Sequence, residues 1–238
     1  GEAPKTVALA SIQQIIKPKP VIEDLVWKGN VDVALDYKRA DKDTDDYDID
    51  FKTTARHGAW RHHAEGEYNR EFQNDVVTTD NWTAEYALDH FIDEKWYWQG
   101  RLTYNRDRVE DVSRQRTIGT GPGYQFWDDE LGAFSLATLA NRSDYRYSNG
   151  EQDRFYAMSV KWDYNRYLIG KTVELFTVGE VGRPLSGAAD YSLDAEVGLR
   201  YKVTDWASLN MKAEKDIVSG AEGDLNETRY TLGFGVGW

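Results

Sequence analysis

The strongest constraint in this sequence is an alternation of apolar and polar residues with a period of two. In the last stretch, RYTLGFGVGW, one parity carries Tyr230, Leu232, Phe234, Val236 and Trp238, and the other carries polar residues and glycine. A period of two is the pattern of a β-strand that presents two different faces. Because the alternation recurs along the chain, it predicts an all-β protein.

About twelve segments show this alternation, each with the length of a strand that crosses a bilayer. Their approximate cores are 26–38, 46–57, 61–73, 80–90, 95–107, 114–126, 132–144, 153–165, 171–182, 190–203, 206–216 and 227–238. Two segments are less regular. Arg70 falls among apolar positions in the third segment, and in the seventh the alternation slips near Leu139, as a β-bulge would cause.

The connections between the segments differ in character at the two ends of the strands. One set is longer and rich in Asp, Glu, Gly and Ser, and it covers 41–47, 73–80, 107–114, 144–153, 183–190 and 216–227. The other set is shorter and lies near 57–61, 90–95, 127–131, 165–171 and 203–206. This asymmetry is typical of bacterial outer-membrane barrels, whose short turns face the periplasm. An even strand number then predicts that both termini are periplasmic.

Aromatic residues are sorted to the ends of the segments. Toward the short turns lie Trp27, Trp60, Phe91, Trp96, Trp127, Trp162, Tyr164, Tyr201, Trp206 and Trp238. Toward the long loops lie Tyr37, Tyr47, Phe72, Trp82, Tyr104, Tyr156, Tyr191 and Tyr230. From these we select as interface anchors Trp27, Tyr37, Trp82, Trp96, Trp162, Tyr191, Tyr230 and Trp238. Two aromatic girdles match the two interfaces of a bilayer, whereas a soluble β-sandwich has no reason to sort its aromatic residues.

The pattern therefore predicts a closed antiparallel transmembrane β-barrel over residues 24–238. The mean hydropathy of −0.70 fits, because the polar residues of a barrel lumen offset its apolar outer face. A barrel in lipid cannot leave a strand edge unpaired, so we expect the last strand to pair with the first and Trp238 to anchor it. The net charge of −12 argues against a nucleic-acid partner, and the absence of cysteine excludes thiolate chemistry.

Residues 1–23 form a separate N-terminal segment in this scheme. One short apolar helical face is formed by Val7, Leu9, Ala10, Ile12, Ile15 and Ile16, and the sequence KPKP that follows forces an extended linker. Two interpretations are open. The segment is a mobile periplasmic tail, or it is a small helix that packs on the barrel mouth or plugs the lumen.

Charged residues of inward parity are the candidate functional residues. We select as lumen charges Asp32, Asp48, Asp50, Lys52, Arg56, Glu65, Glu67, Arg101, Glu196 and Arg200. Interior charges must be paired or hydrated, so one interpretation is a network of salt bridges that stiffens the wall. The other is a narrow water-filled pore whose acidic excess favours cations. About twelve strands enclose more room than side chains alone easily fill.

The motifs that suggest other chemistry have simpler explanations. The glycines of GTGPG at 119–123 share one strand parity, which favours small lumen residues over a phosphate loop. The acidic run from residue 41 begins like an EF-hand, but Asp46 and Lys52 stand where Gly and Glu are required, so we favour a solvated loop. His57, His62 and His63 fit no metal spacing. We find no nucleophile motif for a hydrolase, so we expect no catalytic residues, metal or cofactor.

Three groups of residues carry a family resemblance: Trp27-x-Gly29-Asn30-Val31, Trp96-x-x-x-Gly100-x-x-x-Tyr104-x-x-Asp107 and Gly119-Thr120-Gly121-Pro122-Gly123-Tyr124. With the strand pattern, they make the chain from about residue 24 onward similar to the bacterial salt-induced outer membrane proteins (YdiY-like). The resemblance implies an outer-membrane barrel with no catalytic residues to carry over. The aromatic C-terminal strand also resembles the signal that the outer-membrane assembly machinery reads.

These observations lead us to expect a narrow pore or an envelope-stress barrel of the Gram-negative outer membrane, with a mild preference for cations. Its expected partners are outer-membrane lipid, lipopolysaccharide and the assembly machinery. One alternative is a scaffolding barrel that binds a periplasmic or membrane partner through residues 1–23. A second alternative, an outer-membrane hydrolase, has less support in the sequence.

Overall fold

The computed structural model describes residues 24–38, 44–109, 112–185, 190–219 and 225–238. The N-terminal segment 1–23 and part of the acidic run that begins at residue 41 lie outside the described residues. The strands are β1 (Val26–Lys38), β2 (Thr44–His57), β3 (Trp60–Gln73), β4 (Val76–Phe91), β5 (Trp96–Asp107), β6 (Val112–Asp129), β7 (Gly132–Tyr147), β8 (Gln152–Ile169), β9 (Val173–Pro184), β10 (Tyr191–Lys202), β11 (Ala207–Ser219) and β12 (Leu225–Gly237). Each predicted segment overlaps one of these strands.

The strands form one closed antiparallel barrel in which each strand pairs with its neighbours in the chain. β1 and β12 complete the ring, with Asn30 opposite Gly237 and Val33 opposite Phe234. The predicted fold, an all-β closed barrel of about twelve strands, is confirmed. Within the described ranges, no helix has the length and apolarity needed to cross a bilayer.

The chain ends inside this closing seam. The backbone N–H of Trp238 donates to the carbonyl of Gly29 (3.0 Å), and the N–H of Gly29 donates to the carbonyl of Trp238 (3.1 Å). The Trp238 ring lies edge-on to Trp27, with 5.9 Å between centroids, and stacks on Phe51 at 6.3 Å. A Cβ on Gly29 would lie 2.5 Å from the Trp238 ring, so this position requires glycine.

Short connections join the strands at one end, which we call the short-turn end: 58–59, 92–95, 130–131, 170–172 and 203–206. Side chains cap several of these turns. The backbone N–H groups of Trp96 and Lys95 donate to Asp93 Oδ1 (2.7 and 2.8 Å), which lowers the pKa of Asp93. The N–H of Ala207 donates in the same way to Thr204 Oγ1 (2.9 Å).

The opposite end, which we call the long-loop end, differs most from prediction at the connection between β3 and β4. The expected loop at 73–80 is wrong, because β3 and β4 extend to Gln73 and Val76 and are joined by Asn74 and Asp75 alone. Both residues have positive φ (49° and 63°), as a tight hairpin turn requires, and Asn and Asp tolerate this conformation. The β-branched residues that follow continue the strand beyond the predicted boundary.

The predicted alternation matches the faces of the barrel. In β5, Trp96 and Trp98 are exposed on the outside. Tyr97, Gln99 and Arg101 alternate with them and are buried on the lumen side. The outward side chains are therefore mainly aromatic or aliphatic, as the outer face of a membrane barrel requires.

Two sequence-based assignments on the wall are wrong. β7 pairs with β8 without a register shift from Gly132 to Arg146, so the expected bulge near Leu139 is not formed. Leu139 keeps the inward parity and is fully buried. Phe91, which we placed in the outer girdle, also faces inward and packs in one buried cluster with Leu139 and Tyr97. An apolar cluster inside the lumen produced the apparent slip in the pattern.

The interface anchors lie on the outer parity of their strands, with exposed side chains at Trp27, Trp96, Tyr191, Tyr230 and Trp238. Two further anchors are half-buried against their neighbours, because the Trp82 ring packs on Tyr104 at 5.0 Å and the Trp162 ring covers Gly179. The side chain of Tyr37 lies outside the described part of the structure.

Candidate functional site

The lumen contains a cavity of about 1280 Å³ that residues from all twelve strands line. Thr204 and Trp206 line it at the short-turn end, and Tyr145 and Pro184 line it toward the long-loop end. Carboxylates outnumber Lys and Arg among the lining residues. Charged side chains on the wall of a narrow aqueous cavity are the feature that determines which ions can enter it.

The structure places all the predicted lumen charges on the inward parity of their strands. Those that line the cavity directly are Asp32, Asp50, Lys52, Arg56, Glu65, Glu67, Arg101, Glu196 and Arg200. Asp48 is buried in the wall beside them, with 5% exposure. The period of two was therefore sufficient to select the inward charges, because it depends only on the local pleat of each strand.

An ion pair joins opposite walls of the barrel. Lys52 Nζ on β2 lies 3.1 Å from Asp163 Oδ2 on β8. The two strands are six positions apart around the ring in either direction, so this contact crosses the lumen. Lys52 also lies 3.3 Å from Glu65 on the neighbouring strand β3. At this level the lumen is therefore narrow enough for two side chains to span it.

Two more long-range contacts lie beside this pair. Arg101 on β5 binds Glu180 on β9 through two hydrogen bonds of 2.5 and 2.9 Å, and Lys161 on β8 binds Glu85 on β4. We call this set the transverse network, and its members are Lys52, Glu65, Glu85, Arg101, Lys161, Asp163 and Glu180. Its charges are nearly balanced, and its pairs join strands that are not neighbours in the ring, so these side chains extend across part of the cavity.

A second charged group lies one to two pleats farther toward the long-loop end. We call it the acidic cluster, and its carboxylates are Asp48, Asp50, Glu67, Glu196 and Glu214. Two cations accompany them. Lys212 contacts Asp50 and lies 3.0 Å from Glu214, and Arg229 lies 3.3 Å from Glu214. Unlike the transverse network, this group has a clear excess of negative charge.

A third network lies toward the short-turn end around Asp89, whose side chain is fully buried. Arg61 Nε donates to Asp89 Oδ2 (2.8 Å), and Gln99 Nε2 donates to Asp89 Oδ1 (2.7 Å). His63 Nε2 lies 3.2 Å from Asp89 Oδ2, and its Nδ1 lies 3.0 Å from the Thr54 hydroxyl. This series of hydroxyl, imidazole and carboxylate resembles a catalytic arrangement. Arg61 and Gln99 already bind its carboxylate, so we assign it to the structural network.

Arg200 and Arg56 occupy separate positions on the wall. Arg200 donates to Asp32 (3.2 Å) on β1 and to Glu174 (3.0 Å) on β9, which joins strands on both sides of the closing seam. Arg56 donates to Asp128 (3.1 Å) near the short-turn end. Each predicted cation therefore has an acidic partner, as burial of a charge demands.

The glycines of the GTGPG stretch on β6 leave space on the lumen side of the wall for bulkier side chains. Gly119, Gly121 and Gly123 face inward, in agreement with the sequence interpretation. A Cβ at Gly119 would lie 2.2 Å from Asn141 Oδ1, and one at Gly123 would lie 2.2 Å from the Tyr97 ring. The glycines leave room for the side chains of neighbouring strands, and no phosphate-binding geometry is involved.

Sequence reasoning did not select several residues that complete these networks: Arg61, Asp89, Lys161, Asp163, Glu180 and Lys212. All have the inward parity, so the alternation predicts that they face the lumen. Their role in these networks could not be predicted from the alternation, because it depends on contacts between strands far apart in the chain. The separation of Lys52 and Asp163 by 111 residues illustrates this.

A family model described as "Protein of unknown function, DUF481" matches residues 31–238. This match confirms the resemblance to the YdiY-like family that the sequence indicated. No curated protein sequence matches the chain.

Two solved structures are similar to this barrel. The NanC porin has a TM-score of 0.54 at 9% identity, and the match covers 89% of this chain and 99% of that chain. The COG4313 outer membrane channel from Pseudomonas putida F1 has a TM-score of 0.52 at 11% identity, with coverage of 94% and 99%. At these identities the similarity concerns the fold, which is that of an outer-membrane β-barrel.

Proposed function

Since the chain belongs to the DUF481 family, we propose that this outer-membrane barrel is a narrow diffusion channel that prefers cations. The observation that carries the proposal is the acidic excess on the wall of the cavity of about 1280 Å³. A ring of carboxylates around a narrow aqueous path attracts cations and repels anions. The names of the two similar structures, a porin and a channel, support conduction as a function of this architecture.

The two charged groups have different tasks in this proposal. The transverse network sets the width of the path, because its ion pairs cross the lumen. The acidic cluster sets the charge preference, because its carboxylates exceed its cations. Solutes would therefore be small hydrated ions, and larger molecules would be excluded at the level of Lys52 and Asp163.

The proposed orientation follows from the loops and the aromatic side chains. We place the short-turn end and both termini in the periplasm, as in other bacterial outer-membrane barrels. The outer face, with its exposed tryptophans at the short-turn end, would contact lipid. We propose no catalytic role for the barrel, and a response to salt stress is the part of the proposal that comes from family resemblance.

Planar-bilayer recording tests the charge preference. In a KCl gradient we expect the reversal potential of the purified protein to have the sign of a cation-selective pore. Replacement of Glu67 and Glu196 by Gln should lower the cation-to-anion permeability ratio roughly twofold, because it removes two lumen charges. The control is Glu94→Gln in the exposed turn 92–95, which should leave the ratio unchanged. Conductance no higher than that of the empty membrane would reject an open pore, and anion selectivity would reject the assigned role of the cluster.

The transverse network gives a separate expectation for pore width. The double variant Lys52→Ala/Asp163→Ala should raise single-channel conductance roughly twofold, because it removes the pair that crosses the lumen without changing net charge. The matched control is Lys171→Ala/Glu130→Ala, which removes an exposed pair of 3.0 Å at the short-turn end. An equal conductance for both double variants would show that the crossing pair does not limit the path.

A further inference from the structure

The acidic cluster is arranged in a way that costs stability unless another positive charge is present. Four of its five carboxylates stand directly opposite one another on paired strands, with Asp50 opposite Glu67 and Glu196 opposite Glu214. Asp50 is also opposite Asp32 on its other side. Like charges at directly opposite positions of an antiparallel pair repel each other. Repetition of this pairing inside one lumen indicates that the site requires a counter-charge.

The protein's own cations supply only part of that counter-charge. The ammonium group of Lys212 is shared, since it contacts Asp50 and lies 3.2 Å from Glu196 and 3.0 Å from Glu214. Arg229 lies nearer to Glu214 (3.3 Å) than to Asp48 (3.7 Å). Two cationic side chains thus face five carboxylates in this cluster.

Three of these carboxylates lie close together, and of the three Lys212 contacts only Asp50. Single oxygens of Asp48, Asp50 and Glu67 all lie within 4.8 Å of one another. Oδ1 of Asp48 is buried and has no hydrogen-bond partner among the described residues, although the residue is only 5% exposed. In the same part of the chain, Glu67 makes no hydrogen bond or ion pair that the structure records. A buried carboxylate oxygen without a donor is costly unless a cation binds it.

We propose that Asp48, Asp50 and Glu67 form a divalent-cation site in the lumen, with Ca²⁺ as the preferred ion. Carboxylate oxygens are the ligands of hard cations, and Ca²⁺ accepts six to eight of them in flexible geometry. Water in the cavity would supply the remaining ligands. Mg²⁺ demands a tighter octahedral geometry and releases its water reluctantly, so it should bind more weakly. Zinc is disfavoured because the group contains no His or Cys.

Binding of a divalent cation in the lumen is a property that conduction alone does not require. It lies next to the transverse network, since Asp50 and Glu67 are each two residues from Lys52 and Glu65 on the same strands. A cation held there would neutralise the facing carboxylates and would occupy the path next to its narrow level, on the long-loop side. The inference stands on the geometry of the three carboxylates and does not depend on ion flow through the barrel.

Equilibrium dialysis with ⁴⁵Ca²⁺ tests the proposal on the full chain folded in detergent micelles. We expect saturable binding of one Ca²⁺ per barrel with a Kd of roughly 10⁻⁴ to 10⁻³ M, the range of extracellular calcium modules. Asp50→Asn/Glu67→Gln, which preserves side-chain size, should weaken binding at least tenfold. The control is Glu94→Gln/Glu151→Gln at two exposed connections, with wild-type affinity expected. Equal affinity for Ca²⁺ in the two double variants would overturn the proposal. Absence of saturable binding to the wild type would also overturn it.

A thermal-unfolding series distinguishes a binding role from a purely structural one. In EDTA, Asp50→Asn/Glu67→Gln should have a higher Tm than the wild type, because the facing carboxylates no longer repel. Ca²⁺ should raise the Tm of the wild type and of the control, and it should leave that of the variant unchanged. A Tm shift of equal size in all three proteins would place the bound ion elsewhere. If the protein binds calcium but shows no measurable conductance, the cation site is supported and the proposed channel is rejected.

Discussion

Gly121→Ala is expected to reduce the folded fraction of the barrel sharply, although it adds only one methyl group. A Cβ at this position would lie 1.9 Å from the Thr138 carbonyl oxygen and 3.3 Å from the Leu139 Cα. These are backbone atoms of the adjacent strand β7, so no side-chain rotation can relieve the collision. Overpacking of a well-packed interior typically costs about 1–3 kcal/mol and occasionally more, and contact with backbone places this variant at the upper end.

Gly100→Ala on the neighbouring strand β5 is the matched control. Gly100 faces outward, and no atom lies within 4 Å of its added Cβ. Alanine there should be neutral or stabilise the strand by roughly 0.5–1 kcal/mol, because glycine loses more backbone freedom on folding. The difference in stability between the two variants can be measured by urea unfolding in detergent micelles. It can also be measured from the heat-modifiable mobility of the folded barrel on gels. Equal stability of the two variants would contradict the close approach of β6 and β7.

The second large effect is expected for Asp89→Ala, with a loss of about 3–5 kcal/mol in the free energy of unfolding. The Asp89 side chain is fully buried and accepts hydrogen bonds from Arg61 (2.8 Å) and Gln99 (2.7 Å). Its removal leaves the guanidinium of Arg61, whose side chain is only 9% exposed, without its acidic partner. An unpaired buried charge costs more than the original pair contributed, which explains the size of the effect.

Two further variants separate this explanation from a general effect of losing a carboxylate. Glu130→Ala removes the partner of Lys171 at the exposed short-turn end and should cost less than about 1 kcal/mol. The double variant Arg61→Leu/Asp89→Leu removes both buried charges and should be less destabilised than Asp89→Ala alone. If Asp89→Ala proved as stable as Glu130→Ala in the same chemical-unfolding experiment, Asp89 would not be the centre of a buried network.

Features that depend on a single strand were predictable from the sequence, and features that depend on contacts between strands were not. The inward positions of Asp50 and Lys52 and the outward positions of Trp96 and Trp98 were predictable, because each depends on the pleat of a single strand. Asn74 and Asp75 were missed as a hairpin turn, since the prediction treated their polar neighbourhood as a loop. Phe91 and Leu139 were misread because an apolar residue was assumed to face lipid, whereas these two pack together inside the lumen.

The pattern of residues was sufficient to predict an outer-membrane barrel of about twelve strands, to separate its outer face from its lumen face, and to predict that β12 pairs with β1. These properties come from a period of two, from the placement of aromatic residues and from the cost of an unpaired edge in lipid. The contacts between the lumen charges, in contrast, depend on the closed barrel. The stagger of strands around a closed barrel sets which residues share a level, and no local pattern contains it. The contact of Lys52 with Asp163 across the lumen, and the convergence of Asp48, Asp50 and Glu67, therefore appear only once the ring is closed.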